Sequence, residues 1–321
     1  MLTVIFSSRN GGPVLDKTLT SMTRLRPPPG GWKIVAVNNA STDETPKIFA
    51  RYRDRLPLTV LEEPQSGKNR ALNRALGHGE GDLFVFCDDD VVVDQDWLVH
   101  WRQTADHRTR YDLFAGVTAP LWPYDPPRWI LEEVDCGIVF ATNRHMREGP
   151  CEPLAIFGTN MAVRAEVFAS GVRFNTEIGP NSDQAYPMGS ETELSRRLAA
   201  LGYKCWFATS PQVKHIVRPG QMERQAILMR GYRWGRGQAH MHIAHTYAPD
   251  RLGHKNKLRS WLYPFLMPFY THREAWARQW EWAIDQGYED GLRECSHLAP
   301  LWLLEGACPR IAGRFRRAVA A

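Results

Sequence analysis

Apolar positions at the start of the chain fall into two alternating rhythms. Short runs of β-branched and aromatic residues, "LTVIFSS" from Leu2, "WKIVAVNNAS" from Trp32, "LTVLEE" from Leu58 and "DLFVFC" from Asp82, end in polar or acidic residues and are expected to be strands. Between them, apolar residues recur at helical spacing. The spacing predicts a helix over Val14–Leu25 after the Gly11-Gly12 turn, another carrying Ile48, Phe49 and Tyr52, and a third in "KNRALNRALGHG", stopped by glycines. Ser41 or Thr42 is the expected cap of the second helix, with Asp43 and Glu44 near its positive end. Repeated βα units call for a mainly parallel sheet covered by helices through right-handed crossovers, an α/β fold of the nucleotide-binding kind.

After about residue 112 the rhythm weakens. "APLWPYDPPRW" reads as an irregular excursion over the sheet, followed by a strand-like "LAIFGTNMAVR", a helix over Thr192–Leu201 and a strand "KCWFAT". Beyond Pro219 the pattern becomes helical, basic and rich in tryptophan, so the chain divides near residue 220 into residues 1–220 and a helical extension, 221–321. No internal repeat or low-complexity segment interrupts it.

Composition narrows the class. With 321 residues, 43% hydrophobic and 23% charged, the chain has the profile of a soluble globular protein. No apolar run approaches the roughly 20 residues needed to cross a bilayer. The start, "MLTVIFSSRNGG", lacks a basic region and a small-residue cleavage site, which argues against secretion. The six cysteines, at 87, 136, 151, 205, 295 and 308, have no zinc spacing and read as reduced thiols in the cytosol. A net charge of +5 is concentrated late, at Arg224, Arg230, Arg233, Arg236, Arg251, Lys255, Lys257 and Arg259. Such a stretch suits either lipid phosphates or plain solvation. No recognition motif supports nucleic acid as a partner.

The most informative chemistry is Asp88, Asp89 and Asp90, embedded between Leu83–Cys87 and Val91–Val93. Three like charges beside apolar residues cost free energy unless a cation sits among them. Either this is an acidic surface turn, or it is a metal site at the carboxyl edge of a sheet. In the second case a divalent ion with few protein ligands completes its shell with the phosphates of a nucleotide diphosphate.

Several separated segments resemble the family 2 glycosyltransferases of GT-A fold. "TVIFSSRN" is similar to their opening strand, "VNNASTDET" to V-D-N-x-S-T-D, "GKNRALN" to G-x-x-x-A-x-N, and "CDDDVVVDQDWL" to the D-x-D segment. Downstream, "FGTNMAVRAEVF" resembles G-x-N-M-A-x-R, "GSETELSRRLAALGY" resembles G-E-D-x-E-L-x-x-R-x-x-x-G-Y, and "PQVKHIV" resembles a strand with a late histidine. Together they run in the family's order over roughly residues 2–240.

The resemblance implies an inverting, Mn2+- or Mg2+-dependent enzyme of polysaccharide biosynthesis. It would move a sugar from a nucleotide-diphosphate donor to a hydroxyl of a glycan or lipid-linked acceptor. It makes Asp90 the direct metal ligand, Asp88 shared between metal and ribose, Asp89 an orienting group of the turn, and His215 the residue that completes the metal shell or touches the diphosphate. The catalytic base of the family is the Asp of Glu-Asp at a helix start, where this chain has Ser190 and Glu191, so Glu191 takes the role with one methylene more. Ser7, Arg9, Asn38, Lys68 and Arg70 are the remaining candidates for the donor pocket, the cations facing phosphate. Asn38 stands where uracil-binding members often have Asp, and its amide offers a donor as well as an acceptor. Trp122 and Trp129 suit either an acceptor platform or the anchoring of an irregular loop.

A sugar nucleotidyltransferase and a non-catalytic nucleotide- or glycan-binding module are the alternatives, the first weakly supported by "SSRNGGPVLDK". The tail segment "WLYPFLMPFY", beside the late basic residues, is expected either to meet the inner membrane face peripherally or to pack through Trp261, Leu262, Phe265 and Phe269. A dimer interface remains open for the same residues.

Overall fold

The computed structural model describes residues 1–245 and 271–295. These divide into two compact units, one of residues 1–184 with 190–222, the other of residues 185–189 with those from 223 on.

In the first unit β1 (Leu2–Ser8), β2 (Trp32–Asn39), β3 (Leu58–Glu63) and β4 (Leu83–Cys87) run parallel, in the order β3-β2-β1-β4. The sheet continues through β8 (Asn160–Arg164), β6 (Leu113–Leu121), β9 (Cys205–Ile216) and β5 (Val91–Val93), with β7 (Gly149–Pro150) also against β9. Strand β6 runs parallel to β9, whereas β8 runs antiparallel to β4 and β6, and β5 and β7 antiparallel to β9, so β1, β2, β3, β4, β6 and β9 share one direction and the sheet is mostly parallel.

Both faces are covered, which explains the continuous apolar runs. On one face Val4, Phe6, Ile34 and Ala36 pack under α1 (Gly12–Met22), α2 (Thr45–Tyr52) and α4 (Trp97–His107), through Leu15, Leu19, Phe49, Trp97 and Trp101. On the other, Ile5, Val35, Val37 and Phe86 pack under α3 (Lys68–Leu76), α7 (Ala165–Ala169) and α8 (Ser190–Ala200), through Ala71, Leu72, Phe168, Leu194 and Leu198.

The early helices and strands follow the sequence pattern, with one local difference. Ser41 and Thr42 do not cap α2; Asp43 accepts the Thr45 N–H at 3.0 Å. Ser41 instead accepts the Asn10 N–H at 3.0 Å and Asn10 accepts the Thr42 N–H at 2.8 Å, tying the β1 and β2 loops together.

The second half departs more. "LFAGVTAPL" is a nine-residue strand, β6, where the sequence pattern had only begun to weaken. The expected strand from Leu154 starts at Asn160, because Pro153–Ala155 forms a 3-10 turn. "KCWFAT" and "PQVKHIV" are one strand, β9, and its pairing with β6 shifts register between Ala115 and Val117. Asn160 holds this irregular place, accepting from the Trp97 indole at 2.8 Å and donating to the carbonyls of Val117 at 2.9 Å and Pro211 at 3.0 Å. Short helices α5 (Arg128–Glu133) and α6 (Cys136–Phe140) lie in the proline-rich excursion.

The described cysteines, at 87, 136, 151, 205 and 295, are free thiols. Cys151 follows β7 and donates its N–H to the Cys205 carbonyl at 3.1 Å, and burial pushes both thiols up to about 12.

In the second unit α9 (Arg224–His245) packs on α10 (His272–Glu294). Gly231 and Gly235 on α9, and Gly287 and Gly291 on α10, recur at four-residue spacing and let the backbones touch. A Cβ at Gly235 would lie 2.0 Å from the Ile284 carbonyl oxygen, and one at Gly287 1.9 Å from that of Tyr232. Arg236, from the basic cluster, is buried and pairs with Glu294 at 2.6 Å, so this charge is turned inward. Arg224 lies over the Trp276 ring and Arg233 over Tyr186. Arg251, Lys255, Lys257, Arg259, Trp261, Leu262, Phe265 and Phe269 lie outside the described residues. Among the described residues no helix is long and apolar enough to cross a membrane.

Candidate active site

The site forms where β4 stops and the chain turns back as β5. Strand β5 pairs with β9 so that Val91 faces His215 in the ladder, which carries the late histidine to the acidic turn. His215 Nε2 lies 3.5 Å from Asp90 Oδ2. Its Nδ1 is 2.9 Å from the Phe140 carbonyl oxygen, which can only accept, so Nδ1 carries the proton and Nε2 is the atom turned to Asp90. Arg218, just past the end of β9, reaches the same carboxylate oxygen at 3.5 Å. Burial works against the charge on Asp90, but His215, Arg218 and Lys68 outweigh it and hold the carboxyl below its usual range.

The other two carboxylates are less well compensated. Burial, the Asp90 charge and that of Asp88 push Asp89 up to about 7, opposed by the hydroxyl of Ser8, which donates to it. Burial also raises Asp88, against the attraction of Lys68. The turn's backbone is fixed from α1. Thr18 Oγ1 donates to the Asp89 carbonyl at 2.8 Å and accepts the Val91 N–H at 3.1 Å, while Ser21 Oγ accepts the Val93 N–H at 3.2 Å.

Lys68, the first residue of α3, joins the turn to α8. Its Nζ lies 2.6 Å from Asp88 Oδ1 and 2.8 Å from Glu191 Oε1. The three side chains are only 17%, 25% and 15% exposed. Burial disfavours the ammonium, yet the two carboxylates hold it above the usual lysine range. Glu191 stands in the first turn of α8 against the bare backbone of Gly158, where a Cβ would come within 2.1 Å of Oε1. The neighbouring Glu193 is buried and bonded to Arg197 at 2.9 and 3.0 Å, a helix-internal pair.

The structure thus assembles Lys68, Asp88, Asp89, Asp90, Glu191 and His215. Trp122 packs edge-on against Phe140, 4.8 Å between ring centres, and so backs the helix end that binds His215. Trp129 is half-buried in α5. Ser7 is half-buried at the end of β1, whereas Arg9 and Arg70 are exposed and bond to the Asn181 carbonyl and to Gln65. Asn38, at the end of β2, donates its amide to Glu62 at 2.7 Å, and by alternation with Ile34 and Ala36 it lies on the face of β2 turned to α1 and α2. Asn39, on the α3 side, pins the turn before Lys68 through the Gly67 N–H and the Glu63 and Gln65 carbonyls.

Sequence reasoning missed Arg218, Gly158 and Thr18. Arg218 had a readable signal, a cation three residues after His215. Gly158 stood in the G-x-N-M-A-x-R segment without a role assigned to it, and Thr18 gave no signal, since both roles depend on what packs against them. Among the described residues no three of His, Cys, Asp and Glu converge as a ready metal-ligand set. Asp88 is turned to Lys68, while Asp90 and His215 approach each other.

Comparison with known proteins places this geometry in context. The profile of Glycosyl transferase family 2 matches residues 3–168, just over half of the chain. The chain is 25% identical over 241 residues to glycosyltransferase AglE of Haloferax volcanii, covering 74% of this chain and 72% of that protein. It is 31% identical over 215 residues to the poly(ribitol-phosphate) beta-N-acetylglucosaminyltransferase TarS of Staphylococcus aureus, covering 66% of this chain but 36% of TarS. Among solved structures, the mannosyltransferase PcManGT from Pyrobaculum calidifontis, in complex with GDP-Man and Mn2+, superposes with a TM-score of 0.57 at 21% identity, covering 99% of this chain and 79% of that one. TarS with UDP-GlcNAc gives 0.54 at 15% identity, covering 91% of each. At these identities the structural likeness speaks for the fold alone.

Proposed function

The chain belongs to glycosyl transferase family 2, and from that premise we propose that it transfers a sugar, with inversion and with help from Mn2+ or Mg2+, from a nucleoside-diphosphate donor to a hydroxyl of a glycan or lipid-linked acceptor. Family membership makes the protein a transferase and sets aside the nucleotidyltransferase and binding-module readings. The relatives with GDP-Man and UDP-GlcNAc support a nucleotide-sugar donor.

One observation carries the reading. A single buried ammonium, Lys68, is shared between the acidic turn, where the donor's diphosphate belongs, and Glu191, the carboxylate at the family's base position. The donor and acceptor halves of a displacement therefore meet within one side chain's reach.

Glu191 takes the proton of the acceptor hydroxyl as its oxygen bonds to the anomeric carbon from the face opposite the diphosphate. The bond from that carbon to the diphosphate oxygen breaks, and the diphosphate leaves with the electron pair. Lys68 holds the Glu191 carboxylate in place beside the acidic turn. The half-buried setting strengthens these charges relative to water.

Asp90 and His215 Nε2 fit a divalent ion. Asp90 Oδ2 and His215 Nε2 face each other across 3.5 Å, and once the ring gives up its Nε2 proton both are donor atoms that a cation between them can take, beside two under-compensated carboxylates. Asp90 and His215 would hold it, with Asp88 in support, and bound there it would neutralise the charge gathering on the leaving diphosphate.

The test is Mn2+-dependent release of nucleoside diphosphate from a panel of UDP- and GDP-sugars, with and without hydroxyl acceptors. We expect Glu191→Gln to lower turnover by about two orders of magnitude or more while donor affinity holds. Asp90→Ala should abolish the metal dependence of donor binding. Turnover that survives Glu191→Gln, or a product of retained configuration, refutes the mechanism.

A further inference from the structure

A second pocket, of about 120 Å3, lies away from the acidic turn, between α4, the approach to β7 and the middle of β9. One wall is helical. His100, Gln103, Thr104 and His107 follow one another at i, i+3, i+4 and i+7 and so share a face of α4. Ser210 closes the pocket from β9, where the shifted register leaves residues 208–211 opposite Gly116 alone. The last wall is an ion pair. Arg108 lies over the Trp206 ring at 4.2 Å and reaches Glu148 at 3.0 Å, and Thr209 donates to the other oxygen of that carboxylate at 3.0 Å.

None of the lining residues is hydrophobic, so a hydrocarbon chain finds no surface to cover. Burial works against the charge on Glu148, but Arg108 and Thr209 outweigh it and hold the carboxyl below its usual range, so at neutral pH it stays ionised and cancels the guanidinium. An anion would meet this carboxylate, and a cation the guanidinium. What the wall offers is hydrogen bonding. Among the described residues the side chains of His100, Gln103, Thr104, His107 and Ser210 make no hydrogen bond, and His100 Nδ1 is closed to solvent as well. Neutral imidazole, amide and hydroxyl groups each donate and accept. A ligand hydroxyl does the same, and a small ring carrying several of them matches this wall without bringing charge. We propose that the pocket binds one neutral sugar unit of a glycan, holding the chain at a second point away from the transfer site. Along β9, Ser210 stands roughly 16 Å from His215, so the unit held here is not the one that reacts. The glycan comes from the transferase reading above, on which the inference rests to that extent. Such a hold makes the acceptor end's arrival intramolecular, which lowers KM for long acceptors and leaves kcat alone.

The experiment uses the full chain without donor or metal. Calorimetry and saturation-transfer NMR are run with neutral trisaccharides of glucose, mannose and N-acetylglucosamine, and with inorganic phosphate as the anionic arm. We expect a trisaccharide to bind. The double variant Gln103→Ala, His107→Ala changes two exposed helix positions at which alanine keeps the helix, and it should weaken that binding at least tenfold, whereas Asp90→Ala should leave it within twofold. Thermal melting confirms that both variants fold. Binding lost in Asp90→Ala and kept in the double variant would place the sugar at the acidic turn. Binding of phosphate alone would make this an anion site, and binding of no probe would make it a hydrated hollow; each of these results overturns the proposal. Release of nucleoside diphosphate from UDP- and GDP-sugars into water is followed separately. Its absence from every donor sinks the transferase reading, while the variants still decide whether the pocket holds a sugar.

Discussion

Glu191 owes its position to what Gly158 lacks. Any side chain at Gly158 collides with its carboxylate, so we expect Gly158→Ala to cost roughly 1–3 kcal/mol by overpacking and to lower turnover at least tenfold by displacing the base. A thermodynamic cycle checks the cause. In a Glu191→Ala background the collision is gone, and Gly158→Ala should then cost little stability; an undiminished penalty would place the strain elsewhere. The order of motifs along the chain made Lys68, the three aspartates, Glu191 and His215 legible as one group. The direction of Asn38 was not legible. Which face a strand residue takes depends on its parity, and an apolar run buried on both faces carries no alternation from which to read it.

At the scale of elements, α1 acts as the buttress of the acidic turn. Thr18 is fully buried and satisfies both an acceptor at Asp89 and a donor at Val91. Thr18→Val preserves shape and strands both groups, so a loss of about 1–3 kcal/mol is expected, read as a lower urea midpoint at unchanged slope. Mn2+ affinity should fall with it, because the turn loses its support; an unaltered midpoint would show that water replaces the hydroxyl. The early βα units were readable because each run and cap belongs to one element. Strand β6 was obscured by Gly116 and Pro120, and the pattern of β9 breaks at Ser210-Pro211, where the shifted register accepts a proline that a regular ladder would refuse.

For the molecule as a whole, residues 185–189 group with those from 223 on, a pairing across sequence distance that no composition shift announces. The inward-facing Arg236 reduces the positive charge that α9 offers to a surface. If the remaining basic residues and the aromatics after them bind anionic lipid, the protein should float with phosphatidylserine vesicles at low salt and detach at about 0.5 M as the charges are screened. Sedimentation free of vesicles at both salt concentrations would instead make the acceptor reach the enzyme from solution.

The sheet also contains its own clock. Cys151 and Cys205 face each other where β7 meets β9, and with thiols near 12 neither is a ready nucleophile at neutral pH. A thiol reagent at pH 8, its adducts on Cys151 and Cys205 followed by peptide mapping, should therefore label these two at once in the urea-denatured chain and in the native chain only as fast as this edge opens. The labelling time becomes a measure of how often the edge peels away from the rest of the sheet, without any probe being introduced. Slowing by a donor nucleotide would reveal that filling the distant pocket stills the margin, and prompt native labelling at Cys151 and Cys205 would mean that the margin is never closed.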